Sequence, residues 1–341
     1  MLQTNFQNLS ITIPFSTKIT GFSGTRILNT LPGLLLLFCT GSLAGRAQSI
    51  NPGIIDPTNS YAGRTYSQWA AGWWQHYMSL PATNNPFNQY GNHPAPLSLG
   101  QNGPVWYLGG YYAQGGAPSF TNTIPGGVGL FVLLTDVCVD HAACPTNNTL
   151  TEAQLRAMAK ADQDQAFGMS CTIDGVAVSA LANHLTTPYR VQSVAFSYTC
   201  PPVHNIQHDV FGLSCYQTNT GIPFSVDLAV EDGVFLMVEP LSAGNHVIHV
   251  TGSYTGGFTE NWTHHLAVQP VALTVGASPQ PGYVYLSWPQ SPDTYGVERS
   301  SSLSSPNWQA DTNLTVTLSD GVYSTTAPIG SDSQFFRLRV Q

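Results

Sequence analysis

Between Thr65 and Pro81 the apolar residues recur at helical spacing. Tyr66, Trp69, Trp73 and Tyr77 follow at intervals of three and four, with Ala70, Trp74 and Met78 beside them. That stripe is wide enough to predict a buried helix. Thr65 and Gln68 form a capping box in front of it, a hydroxyl and an amide side chain able to exchange bonds with the first turn, and Pro81 stops the run. A second box, Thr151 to Gln154, opens TEAQLRAMAKADQDQ, where Leu155, Met158 and Ala159 share a face. Helices are therefore expected near 66–79 and 152–165.

Elsewhere the pattern alternates or runs in short β-branched and aromatic stretches. GPVWYLGG, VGLFVLLTDV, TIDGVAVS, YRVQSVAFSYT, PFSVDLAVEDG, GVFLMVEPL, NHVIHVTGSY and FTENWTHHLAV are strand candidates, separated by Gly, Pro and Asn clusters. Many short strands and two helices predict a mainly β fold, with a large β-sandwich or jelly-roll-like domain over 48–268. The Pro-rich VQPVALTVGASPQPG predicts a linker over 269–281. YVYLSWP, GVERSSS, LTVTLSD, GVYSTTA and QFFRLRV then predict a small β-sandwich tail over 282–341.

The N-terminus changes the setting. Its first forty-odd residues lack acid, carry Lys18 and Arg26, and lead into LPGLLLLFCTGSLAGRAQ, whose apolar stretch is too short to span a bilayer. A signal peptide over 1–47 is expected, and with it a secreted, extracellular or periplasmic location with no transmembrane segment in the mature chain. Removing that leader takes three of the ten basic residues and leaves seven against eighteen acidic ones, a formal charge of about −11. Such a chain repels a phosphate backbone, so nucleic acid is not an expected partner. Charged residues make up 8% of the sequence, well below the usual share, and the polar surface is amide and hydroxyl in character.

In an exported chain the cysteines are disulfide candidates. Cys138 with Cys144 and Cys200 with Cys215 are the pairings short loops allow, leaving Cys171 over. No C-x-x-C occurs, which disfavours a structural zinc site.

The W-x-x-x-WW of the first helix, GQNGPVWYLGG (100–110), IPGG (124–127), YRVQS (189–193) and DGVFLMVEPLSAGNHVIHVTG (232–252) together resemble a group of secreted bacterial proteins with no established activity. The resemblance implies a grouping and no chemistry. Relatives often carry cysteines near positions where this chain has His93 and Thr123. The tail, with Trp288 on an early strand and FFRLRV at its close, resembles fibronectin-III-like or immunoglobulin-like modules.

Three places are candidates for chemistry. If Gly256 and Gly257 form a two-residue hairpin loop, Ser253 faces Glu260, Thr251 faces Trp262 and His249 faces His264. Two imidazoles so paired could share a divalent metal ion with His204 from the HNIQHD loop. Glu260, four residues from His264, is then too far from that metal to act as its base. The second place is TDVCVDHAAC, where Asp136 and Asp140 suit an acid/base pair or calcium, with His208 as a further catalytic candidate. The third is the aromatic set Trp74, His76, Trp106 and Trp262, candidates for holding a ligand, although tryptophans at helical spacing are first of all core. No G-x-S-x-G, P-loop, dinucleotide fingerprint or HExxH is present. The leading expectation is a non-catalytic module binding an extracellular polysaccharide or cell-surface component. The alternative is a secreted metal-assisted or His/Asp-dependent polysaccharide hydrolase or lyase.

Overall fold

A computed structural model of the chain describes residues 53–87, 96–110, 117–141, 147–213, 221–330 and 332–341. The expected leader, Cys144 and Cys215 lie outside them. Helix α1 spans Tyr66–Ser79 and α2 spans Glu152–Gln163, and both capping boxes form. At α1 the Gln68 amide donates to the Thr65 hydroxyl while the Thr65 amide donates to Gln68 Oε1. None of the described helices is long and apolar enough to cross a membrane.

The rest is mainly β. In chain order the strands up to Val268 are β1 Val105–Leu108, β2 Ser119–Ile124, β3 Gly129–Asp140, β4 Ala166–Ile173, β5 Val176–Ala177, β6 Arg190–Gln192, β7 Phe196–Cys200, β8 Phe224–Val238, β9 Gly244–Tyr254 and β10 Thr259–Val268, with a four-residue helix α3 at Ile206–Asp209. One sheet runs β1-β3-β8-β6, with β7 also on β8; the other runs β2-β10-β9-β4-β5. The two share one apolar core, to which α1 adds Tyr66, Trp69, Trp73, Tyr77 and Met78. The arrangement is a β-sandwich with α1 laid on the outer face of the first sheet.

Four features depart from the sequence reading. PFSVDLAVEDG and GVFLMVEPL are one strand, β8, because Asp232-Gly233 stays extended: Gly233 pairs with Asp136 and Asp232 is held by Arg190. The β9–β10 loop has three residues, not two. Gly257 donates to the Tyr254 carbonyl and takes φ +90°, a turn closed by a left-handed glycine. The extra residue shifts the register by one, so His249 faces Thr263, His264 faces Ile248 and Glu260 faces Gly252. Third, the expected linker holds a strand, β11 Thr274–Ala277, because its Thr-Val pair suits an extended edge. Finally, Cys138, Cys171 and Cys200 are free thiols, so the expected disulfides do not form on Cys138 and Cys200.

The tail continues with β12 Tyr283–Pro289, β13 Tyr295–Ser300, β14 Gln309–Ala310, β15 Thr317–Ser319, β16 Val322–Pro328 and β17 Phe335–Val340. These form sheets β11-β12-β16-β15 and β14-β13-β17 around a separate small core of Val271, Leu286, Trp288, Val297 and Ala327.

Candidate functional site

Strand β3 positions the site through one irregularity. Leu133 pairs with Phe235 and Thr135 with Val234, leaving Leu134 as an extra residue, and a bulge of this kind re-aims the side chains beyond it. Before it, Phe131 points at α1, its ring 5.8 Å from that of Tyr66. Beyond it the parity is reversed. Thr135 turns toward the second sheet, touching Met169 and Gln163, while Asp136, Cys138 and Asp140 turn toward α1 and α3. Strand β1 pairs with β3 only as far as Val132. From Leu133 onward, among the described strands, that edge of β3 has no partner.

Side chains from both layers meet around this stretch of β3. Trp74 of α1 donates from Nε1 to Asp136 Oδ2 at 2.5 Å. Tyr254 of β9 donates to the Asp136 carbonyl at 3.0 Å and lies 2.6 Å from Gln163 Oε1. On β10, Glu260 and Trp262 stand beside Gly110. A Cβ at Gly110 would lie 2.6 Å from Trp262 Nε1 and 2.8 Å from Glu260 Oε2, so a residue without a side chain lets indole and carboxyl share the spot. Trp262 is 1% exposed and its Nε1 has no hydrogen-bond partner of good geometry. Glu231, opposite Cys138 on β8, is also 1% exposed, and neither of its oxygens makes a well-formed hydrogen bond.

Three carboxyls thus gather with no cationic partner among the described residues. Asp136 and Glu260 keep part of their surface open, yet the protein around them is dense enough for desolvation to dominate. Burial pushes Asp136 up to about 6, opposed by its contacts with Glu231 and Trp74. Burial, reinforced by the Asp136 charge, pushes Glu260 up to about 8. Burial and then Asp136 hold Glu231 well above the usual carboxylate range. Near neutral pH the site therefore presents an ionised Asp136 beside a protonated Glu260, acids whose environments push their pKa values apart.

Of the residues singled out by sequence, Asp136, Trp74 and Trp262 converge here. The others do not. Asp140 lies on the same face of β3 but about 13 Å further along, at about 3.3 Å per residue, and accepts from Tyr198 at 2.5 Å and Gln207 at 3.2 Å. It is a structural acceptor, and Asp136 and Asp140 are not an acid/base pair. His208 lies 2.8 Å from Asp209 Oδ1 and His204 lies 3.0 Å from Asp209 Oδ2, so that aspartate claims both rings. His76 stacks on Tyr107 at 5.5 Å, and burial takes it down to about 4. Trp106 is core, 5% exposed.

The expected metal set of His249, His264 and His204 is not assembled. The register shift puts His249 on the outer face, bonded to Thr263 at 2.9 Å. His264 points inward, its Nε2 2.8 Å from the Gly109 carbonyl and its Nδ1 3.2 Å from Asn122 Nδ2. Both nitrogens of His264 are engaged. Among the described residues no group of three or more His, Cys, Asp and Glu side chains is placed to hold a metal ion.

Glu231 is the residue sequence reasoning missed, and Glu260 the one it set aside. Glu231 was hidden by the apparent break in β8. Glu260 was measured only against His264, whereas its partner comes from another sheet.

No family model and no curated protein matches the chain. Among solved structures, a chain titled BspA_C_WT is similar at 10% identity, over 64% of this chain and 86% of that one, with a TM-score of 0.15.

Proposed function

We propose that the protein is an exported, non-catalytic β-sandwich module that binds a neutral extracellular glycan at the stretch of β3 around Asp136, with the tail as spacer. The carrying observation is the convergence of Asp136, Glu260, Tyr254, Trp74 and Trp262 from four elements of the two layers on one partly open spot. Sugar recognition asks for polar groups to meet hydroxyls, and Asp136, Glu260 and Tyr254 keep part of their surface open. The sequence reading of an acidic, exported chain agrees with such a partner.

A second reading, a polysaccharide hydrolase, draws on the same two carboxyls in their different protonation states. Its metal-assisted form loses its ligand set. Retention of the purified chain on insoluble chitin, cellulose or xylan, reduced at least tenfold by Asp136→Ala with Glu260→Ala, is the expected result. A chain washed through all three supports defeats the proposal. Release of reducing ends from a bound polysaccharide moves the assignment to the hydrolase.

A further inference from the structure

One end of the tail sandwich faces the larger one, where Asp293 accepts from the Ala243 amide at 2.8 Å. At the other end β12 and β16 meet at Tyr283 and Pro328, and β13 and β17 meet at Ser300 and Phe335. There the two sheets part around a cavity of about 580 Å³. Sites for small molecules span roughly 300–1,000 Å³ and are mostly apolar with a few polar groups.

The walls come from both sheets. Val275 and Val284 line the cavity from the first, Phe336 from the second, and Trp308 from the segment between β13 and β14. Both rings are held in place: Arg337 stacks on Trp308 at 4.4 Å and Arg299 on Phe336 at 5.5 Å. These cations are already engaged, Arg337 by Glu298 and Arg299 by Asp311. Leu303 and Ile329 also line the space, and with Val275 they are exposed, so its mouth is apolar too. Gln334 is the exception. Its Oε1 is shut away from water and accepts no hydrogen bond, a cost that a ligand carrying a donor removes. Rotation about the soft terminal torsion of that side chain turns the oxygen toward the cavity. The one charged lining residue is Asp332, whose carboxylate repels an anion.

We infer that the far end of the tail binds a small uncharged apolar molecule with a single hydrogen-bond donor, a hydrophobic alcohol or phenol. Its hydrocarbon part fills the space between the sheets and its O–H donates to Gln334 Oε1. A carboxylate brings no donor and meets Asp332. A protein surface laid over the mouth covers Val275, Leu303 and Ile329 without reaching the enclosed oxygen. This site is separate from the one around Asp136 and gives the tail a role beyond that of a spacer.

The experiment is an NMR titration of the full chain at pH 7 with 4-ethylphenol, its methyl ether 4-ethylanisole, and 4-ethylbenzoate. The phenol is expected to bind at least fivefold more tightly than the ether and tenfold more tightly than the benzoate. Gln334→Leu is expected to erase the preference for phenol over ether while the ether binds as before. Val275→Trp, which fills the cavity from an exposed position, is expected to abolish binding of all three, with thermal unfolding confirming that the variant is folded.

Equal affinity for phenol and ether removes Gln334 as the acceptor. Benzoate bound most tightly overturns the uncharged class. Phenol affinity retained in a folded Val275→Trp chain places the ligand elsewhere, and no binding of any of the three defeats the site. Sedimentation showing a dimer that Val275→Trp dissociates makes a second copy the occupant and overturns the small-molecule assignment.

Discussion

Two glutamates, each almost hidden from solvent, behave in opposite ways. Glu298 in the tail is 3% exposed and Glu231 in the larger sandwich is 1% exposed. Glu298 lies between Arg337 at 2.6 Å and Arg339 at 3.1 Å, both substantially exposed, and the Arg337 bond holds its carboxyl below the usual range. Its cover is a thin lid of two surface side chains. Glu231 sits under a helix on the central strand, and burial drives it upward. The next residue, Asp232, points to the other face of β8 and binds Arg190 at 2.7 Å. What separates these acids is whether a cation was placed within reach. Where one was, the carboxylate serves the fold; where none was, the fold carries an acid that prefers to stay neutral, and such groups gather at functional sites.

This contrast can be broken first by pH. Glu260 ionises near 4.5 in the unfolded chain and near 8 in the folded one. Stability from this group is therefore complete below pH 4.5 and is lost as the pH rises to 8. At about 1.4 kcal/mol per pKa unit, the loss is about 3–5 kcal/mol. Urea unfolding at pH 5 and pH 8.5 should show that decline in the wild type and much less of it in Glu260→Gln. Parallel declines in the two proteins would mean that Glu260 is not desolvated in solution.

Asp136 gives the next largest effect. Asp136→Ala strands the Trp74 N–H and should cost about 1–3 kcal/mol, the penalty of an unpaired buried donor, whereas Asp136→Asn keeps an acceptor and should cost less. The Asn variant removes the negative neighbour of Glu260, so an NMR titration should find Glu260 ionising below its wild-type value of about 8. An unmoved midpoint would separate the two carboxyls. The smallest effect belongs to the tail: Glu298→Gln should lower stability least of the three, because its arginine partners are exposed, and the cost should shrink in high salt. A large, salt-independent loss would place Glu298 with Glu231.

The helices and the mainly β fold were legible because their signals are local. Thr65 and Gln68, or Thr151 and Gln154, reach one another across a single turn. The hairpin register was not, since one residue in the β9–β10 loop decides which face every side chain takes, and Thr-Gly-Gly admits either length. The meeting of Trp74 with Asp136 joins residues 62 apart in sequence, and no periodicity encodes it. Both were chosen for their chemistry alone. Glu260 was seen and set aside because its distance was taken along one strand, while its neighbour arrives from the opposite layer.

The extra residue at Leu134 has a reach beyond the edge it shapes. Upstream of it, the side of β3 under α1 offers Phe131 and Leu133 for packing; downstream, that same side offers Asp136, Cys138 and Asp140, while Val137 and Val139 are turned away, Val139 joining Leu155 and Val230 in a separate apolar cluster. One insertion thus converts a single strand into two tools, an oily anchor followed by a row of acids. Deleting that residue would exchange the two sides beyond it, sending the acids into the oily cluster beneath α2 and the valines toward Trp74, without altering a single chemical group.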